Sequence, residues 1–78
     1  MSVRKNAMLY PNLEAELKRY DITKDDIGKV IGVSRSNVYT RLTGNKEITL
    51  NEARMICAYI EKISGRPMTI KYLFNFTV

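Results

Sequence analysis

The stretch DIGKVIGVSRSNVYTRLTG, residues 26–44, decides how this chain folds. Gly28 and Gly32 stand four residues apart among the apolar Ile27, Ile31, Val33 and Val38. SRSNVYTR then follows, polar or charged at every position except Val38 and the amphipathic Tyr39. Thr23 is a good N-cap, and Asp25 and Asp26 sit in the first turn behind it, where carboxylates complement the helix dipole. Ile27, Val30 and Ile31 give this helix a buried stripe. Gly32 suits a chain that must turn with positive φ, and Val33 is an apolar plug in the turn. Ser34 then caps a further helix over residues 35–43, ended by Gly44.

Two helices joined by a turn of three or four residues form a helix-turn-helix. The arrangement needs a small residue where the helices cross, and Gly28 supplies it. The glycine costs its helix about 0.5–1 kcal/mol relative to alanine, so close packing has to repay it. Val33 and Val38 anchor the turn and the second helix to the core. That leaves Arg35, Ser36, Asn37, Thr40 and Arg41 on an outer face, with Tyr39 at its edge. Those are the side-chain types that read a major groove: arginine pairs with guanine, asparagine with adenine, serine and threonine with several groups. Lys24 and Lys46 flank the face, and backbone N–H groups at the helix starts add capacity for anions.

Outward from this pair, residues 1–9 carry Arg4 and Lys5 without periodicity and read as a flexible basic arm. YPNLEAELKRY, residues 10–20, puts Tyr10, Leu13, Leu17 and Tyr20 on one helical face, with Pro11 in the first turn. Asp21-Ile22 is a connector and GNKEI, from residue 44, a loop. Thr49 and Glu52 form a capping box for a helix with Leu50, Ala53, Ile56, Cys57, Ile60 and Ile63 at helical spacing. Gly65-Arg66-Pro67 stops it, and Thr69 caps a last short helix that turns Ile70, Leu73 and Phe74 to the core. The expected fold is all-α, a compact bundle of about five short helices over residues 10–74, with a tail at 75–78. That tail carries Phe76 and Val78, and it folds back on the core, joins a dimer contact, or frays. Tyr10, Tyr20 and Tyr59 read as core or core-edge side chains, and Cys57 as a small buried apolar one.

The chain has 78 residues, room for one small domain. No apolar run approaches the roughly 20 residues that cross a bilayer. MSVRKNAMLY has neither the apolar core nor the cleavage pattern of a signal peptide. A single cysteine can form no internal disulfide, which fits a reducing cytoplasm. Net charge is +5, with a pI near 9.6, and such a field favours polyanions, nucleic acid before membrane. Many small basic proteins bind no polyanion, so the placement of the charge matters more than its sum. Acids such as Glu14, Glu16, Asp21, Glu52 and Glu61 lie outside helix 35–43, which has no carboxylate. Catalysis has little support: there is no histidine to act as base at neutral pH, no cysteine cluster for a metal and no phosphate-binding glycine fingerprint. No cofactor is implied.

ITKDDIGKVIGVSRSNVYTRLTGNKEITLNEA resembles the helix-turn-helix of the phage Cro and CI repressor family, also called lambda-repressor-like or XRE. The resemblance runs over roughly residues 10–74. It implies a sequence-specific regulator that binds double-stranded DNA. Base contacts would fall on Arg35, Ser36 and Thr40, with Asn37 and Tyr39 as neighbours that read bases or pack on the sugar-phosphate chain. Backbone contacts would fall on Thr23, Lys24, Asn45 and Lys46, joined by Ser34 and Arg41 at the two ends of the helix. One position departs: the family often has an aliphatic residue three places after Val38, where this chain has Arg41, and Leu42 takes over the packing. The expected protein is a Cro-like repressor in a bacterial or phage-infected cytoplasm. It would place two copies of helix 35–43 in successive major grooves, about 34 Å apart, on a pseudo-palindromic operator. With no room for a ligand-sensing or self-cleaving domain, the chain fits a Cro-like switch better than a full-length CI. The competing expectation is an adaptor or anti-repressor that keeps the fold and binds another regulator.

Overall fold

Pro11, Thr23, Ser34, Thr49 and Thr69 each mark the start of a helix. The computed structural model describes residues 9–74 and is all-helical over them: α1 (Pro11–Arg19), α2 (Lys24–Ile31), α3 (Arg35–Leu42), α4 (Leu50–Ser64) and α5 (Ile70–Leu73). Pro11 occupies the first turn of α1, where its missing N–H costs nothing. Thr23 and Thr49 both build capping boxes. Their hydroxyls accept the Asp26 and Glu52 backbone N–H, and those carboxylates accept the threonine N–H in return. Thr69 caps α5 by accepting the Tyr72 N–H. Among the described residues no helix is long and apolar enough to cross a membrane. The expectations for Arg4, Lys5, Phe76 and Val78 lie outside the described residues.

The core joins all five helices through Leu13 and Leu17 of α1, Ile27 of α2, Val38 and Leu42 of α3, Ile56, Cys57 and Ile60 of α4, and Leu73 of α5. Ile22, in the α1–α2 connector, joins them. Tyr10, Tyr20 and Tyr59 pack at its edge, as expected, and the Tyr10 ring meets Phe74 edge to face at 5.2 Å. Three apolar expectations need correction. Val30 is only half-buried and outside the core cluster. Leu50 is 61% exposed and Ile63 46%, because the inner stripe of α4 runs through Ala53, Ile56, Cys57 and Ile60. Leu50 begins that helix and Ile63 follows its last buried residue, so the stripe runs past the part that is covered.

The α1–α2 connector holds an unexpected backbone feature. Asp21 has φ +55°, in the left-handed region. Its N–H reaches the Lys18 carbonyl at 3.3 Å, and the Ile22 N–H reaches the Leu17 carbonyl at 2.8 Å. This pair of bonds is a Schellman ending, with aspartate where glycine is usual. Aspartate tolerates that conformation better than most residues. The ending turns Ile22 into the core.

α5 is clasped to α1 by polar contacts. Asn12 Nδ2 donates to the Tyr72 carbonyl at 2.9 Å, and the Tyr72 hydroxyl donates to Glu16 Oε2 at 2.7 Å. Glu16 is buried on the same stripe as Leu13 and Leu17, and that hydrogen bond raises the Tyr72 pKa. The connector into α5 is tied to α4, where Glu61 accepts the Met68 N–H and the Cys57 thiol reaches the Met68 carbonyl.

α2 and α3 meet across a three-residue turn, Gly32 to Ser34. Gly32 adopts φ +77° and ends α2. The Gly28 carbonyl accepts the N–H of both Gly32, at 2.7 Å, and Val33, at 2.9 Å. The turn thereby folds back so tightly that a Cβ on Gly28 would stand 2.6 Å from the Val33 carbonyl oxygen. Alanine at an exposed helical glycine normally stabilises by about 0.5–1 kcal/mol. Here the added methyl must displace backbone, at a cost of about 1–3 kcal/mol typical of overpacking. Gly28→Ala is therefore expected to lower the melting temperature, by about 4–8 °C for each kcal/mol lost. A thermal melt at or above the wild-type midpoint would show that the close approach is absent.

Candidate functional site

Ser34 accepts the Asn37 N–H at 3.3 Å and so fixes where α3 begins. Val38 and Leu42 are buried and fix how the helix is rotated. Arg35, Ser36 and Asn37 are then left exposed, with Tyr39 and Thr40 half-buried beside them. Among the four longer helices, α3 is the one with no acidic residue in its first turn. The positive dipole end of α3 therefore meets no carboxylate from its own first turn. The Thr40 hydroxyl donates to the Asn37 carbonyl at 2.8 Å, so its outward-facing capacity is that of an acceptor and a methyl group.

Flanking groups come from two other segments. Thr23 and Lys24 open α2; Thr23 is exposed and Lys24 half-buried. The Thr23 hydroxyl and N–H are both engaged by Asp26, which holds that carboxyl below its ordinary range and adds negative charge to the start of α2. The start of α2 is thus a poorer anion site than the start of α3. At the other end, Thr43 closes α3 and Gly44 turns with φ +87°. The Thr40 carbonyl accepts the N–H of both Asn45 and Lys46, folding the loop back so that both exposed side chains flank α3. Leu9, expected in the arm, is anchored beside them: its N–H donates to the Leu42 carbonyl at 2.8 Å, and its side chain lies against Gly44.

Arg41 is the correction. It was expected on the outer face as a backbone contact, but it is buried, with 8% exposure. Its Nε and Nη2 donate to the two Glu52 carboxylate oxygens at 3.1 and 3.3 Å, and Nη1 donates to the Asn37 carbonyl at 2.9 Å. A guanidinium satisfied on three sides has little left to offer a phosphate. The position three after Val38 points inward, where an aliphatic residue would pack, and a carboxylate from α4 makes a cation tolerable there. Leu42 is buried too, as expected, so both side chains share the inner face. The missed signal was Glu52. Read only as a cap for Thr49, it serves the cap and the arginine together.

Two depressions meet at the junction of α2 and α3. One is lined by Lys24, Arg35, Ser36 and Tyr39. The other, on the α1 side, is lined in part by Glu14, Lys18 and Asp21 and again by Lys24 and Arg35. The fold thus brings together Thr23, Lys24, Ser34, Arg35, Ser36, Asn37, Tyr39 and Thr40, with Asn45 and Lys46 at the far end, and withdraws Arg41. This assembly offers cations, hydroxyls and an amide on one surface. Comparison with protein-family models, with curated proteins and with solved structures found no match to this chain.

The Glu52 carboxyl is held below its ordinary range, first by the hydrogen bonds from Arg41, with help from the Thr49 N–H, against the opposing effect of burial. A depressed carboxyl pKa stabilises the fold above the unfolded value, near about 4.3, and that stability is lost as pH falls through the lower folded value. Glu52→Gln is expected to cost about 1–2 kcal/mol at pH 7, the difference between charge-assisted and neutral hydrogen bonds. The gap to wild type should close as pH drops below about 4. Denaturant unfolding at a series of pH values measures this, and a gap that does not change with pH would rule out the ion pair.

Proposed function

We propose that the chain is a sequence-specific DNA-binding regulator in which α2 and α3 form a helix-turn-helix and α3 enters the major groove. The observation that carries this reading is the division of α3. Val38, Arg41 and Leu42 are held inside, while Arg35, Ser36 and Asn37 are left exposed on a helix that carries no carboxylate. A helix in a groove needs one face locked to its own domain and another that offers hydrogen bonds. Asn37 and Thr40 face the base edges, with Arg35, Ser36 and Tyr39 at the border where bases and backbone lie side by side. Lys24 and Lys46 meet phosphates on either side, with Thr23, Ser34 and Asn45 adding polar contacts. The resemblance to the Cro and CI family rests on the same residues and supports a repressor that binds as a homodimer. The reading assigns the protein no catalytic step and no cofactor.

A second reading has its own observation. Leu50 and Ile63 expose large apolar side chains on α4. Such groups favour contact with protein, either a second copy or another regulator. An adaptor that keeps this fold would use them and leave α3 idle.

Selection from a pool of random duplexes at physiological salt separates the two. The expected outcome is an enriched inverted repeat with half-site centres about one helical turn apart. On that site Asn37→Ala should weaken binding by about 1–3 kcal/mol and relax the preference at one base pair. No enrichment by folded protein would favour the adaptor.

A further inference from the structure

The first residue of α2 and the first of α3 are eleven positions apart in sequence, yet Lys24 and Arg35 line one depression, joined there by Ser36 and Tyr39. Among the described residues neither cation lies within 4.0 Å of a carboxylate oxygen, whereas Arg19 pairs with Glu16 and Arg41 with Glu52. The surroundings of the two cations are asymmetric. Glu14 and Asp21 line the depression behind them, toward α1. No acid lines the depression in front, where Ser36 offers a hydroxyl and α3 begins without a carboxylate in its first turn. An anion seated in the front depression would therefore meet both cations and a hydroxyl with no carboxylate in its lining to repel it.

We propose that this depression is a clamp for a single backbone phosphate of duplex DNA, held by Lys24 and Arg35 together, with the Ser36 hydroxyl as a further donor. The proposal rests on the DNA-binding reading and sharpens it. Arg35 serves the sugar-phosphate chain and fixes the register of α3, and base reading falls to Asn37 and Thr40. Two cations from different helices that meet one phosphate also tie the α2–α3 packing to the docked position of the domain. A bidentate guanine contact by Arg35 would instead send its guanidinium away from Lys24, to a base edge.

Counterion release distinguishes these geometries, because each phosphate neutralised contributes about −0.9 to the slope of log K against log salt. The salt dependence of the wild type, Lys24→Ala, Arg35→Ala, Arg35→Lys and the double alanine variant is measured on the preferred duplex and on a scrambled one. Melting curves establish that each variant is folded. A shared phosphate predicts that either alanine variant lowers the slope by less than about 0.9 and the double by about 0.9 in all. The affinity loss is then the same factor on both duplexes, and Arg35→Lys keeps the wild-type slope and most of the affinity. A double variant that loses about 1.8 would place the cations on separate phosphates and overturn the clamp. So would an Arg35→Ala variant that relaxes base preference while binding the scrambled duplex normally, with Arg35→Lys failing to rescue it. In both cases the DNA-binding reading survives. Folded wild-type protein that binds no duplex at any salt would overturn that reading and the clamp with it.

Discussion

The contact between Gly28 and the turn that follows α2 is the constraint on which the rest of the structure depends. A carbonyl oxygen occupies space within 2.6 Å of where any Cβ would stand, so only glycine allows the turn to close in this way. The same residue's carbonyl accepts two turn N–H groups, which leaves the turn no freedom to open. With the turn closed, Val38 can drop into the core beside Ile27, and the rotation of α3 about its axis is set. That rotation decides which α3 side chains face outward.

Charge is sorted by the same geometry. The two ion-paired arginines are attached to buried or half-buried glutamates: Arg19 to Glu16 behind α5, and Arg41 to Glu52 at the start of α4. The first pair lies within α1, and the second joins α3 to α4. Lys24, Arg35 and Lys46 are left around α3 without such partners among the described residues. A net charge of +5 says little by itself. The placement of Lys24, Arg35 and Lys46 around α3, a helix that carries no carboxylate of its own, supports the proposed interface.

Glu52 links these two themes. It closes the cap that starts α4 and neutralises the arginine that would otherwise be a buried, uncompensated charge in α3. The end of α3 is thereby stitched to the start of the longest helix. The N-terminal half of α3 is held by the Ser34 cap and the tight turn instead. The proposed reading residues lie between these two attachments, on a segment with few ways to reorient.

Local chemistry, read from sequence, determined the helix boundaries. Thr23, Ser34, Thr49 and Thr69 as caps, and Gly32 and Gly65 as endings, act through bonds within one turn, so the sequence around each is enough. The core stripe was legible for the same reason wherever residues recur at helical spacing, as at Ala53, Ile56, Cys57 and Ile60. Spacing alone could not say where a stripe stops being covered, and Leu50 and Ile63 lie beyond what the neighbouring helices reach. Nor could it reveal the burial of Arg41 or Glu16. A charged side chain is read as exposed until its partner is known, and those partners are 11 and 56 residues away. The meeting of Lys24 with Arg35 is of the same kind. Burial of a charge, and convergence of two, depend on distance in space, which only the tertiary packing decided.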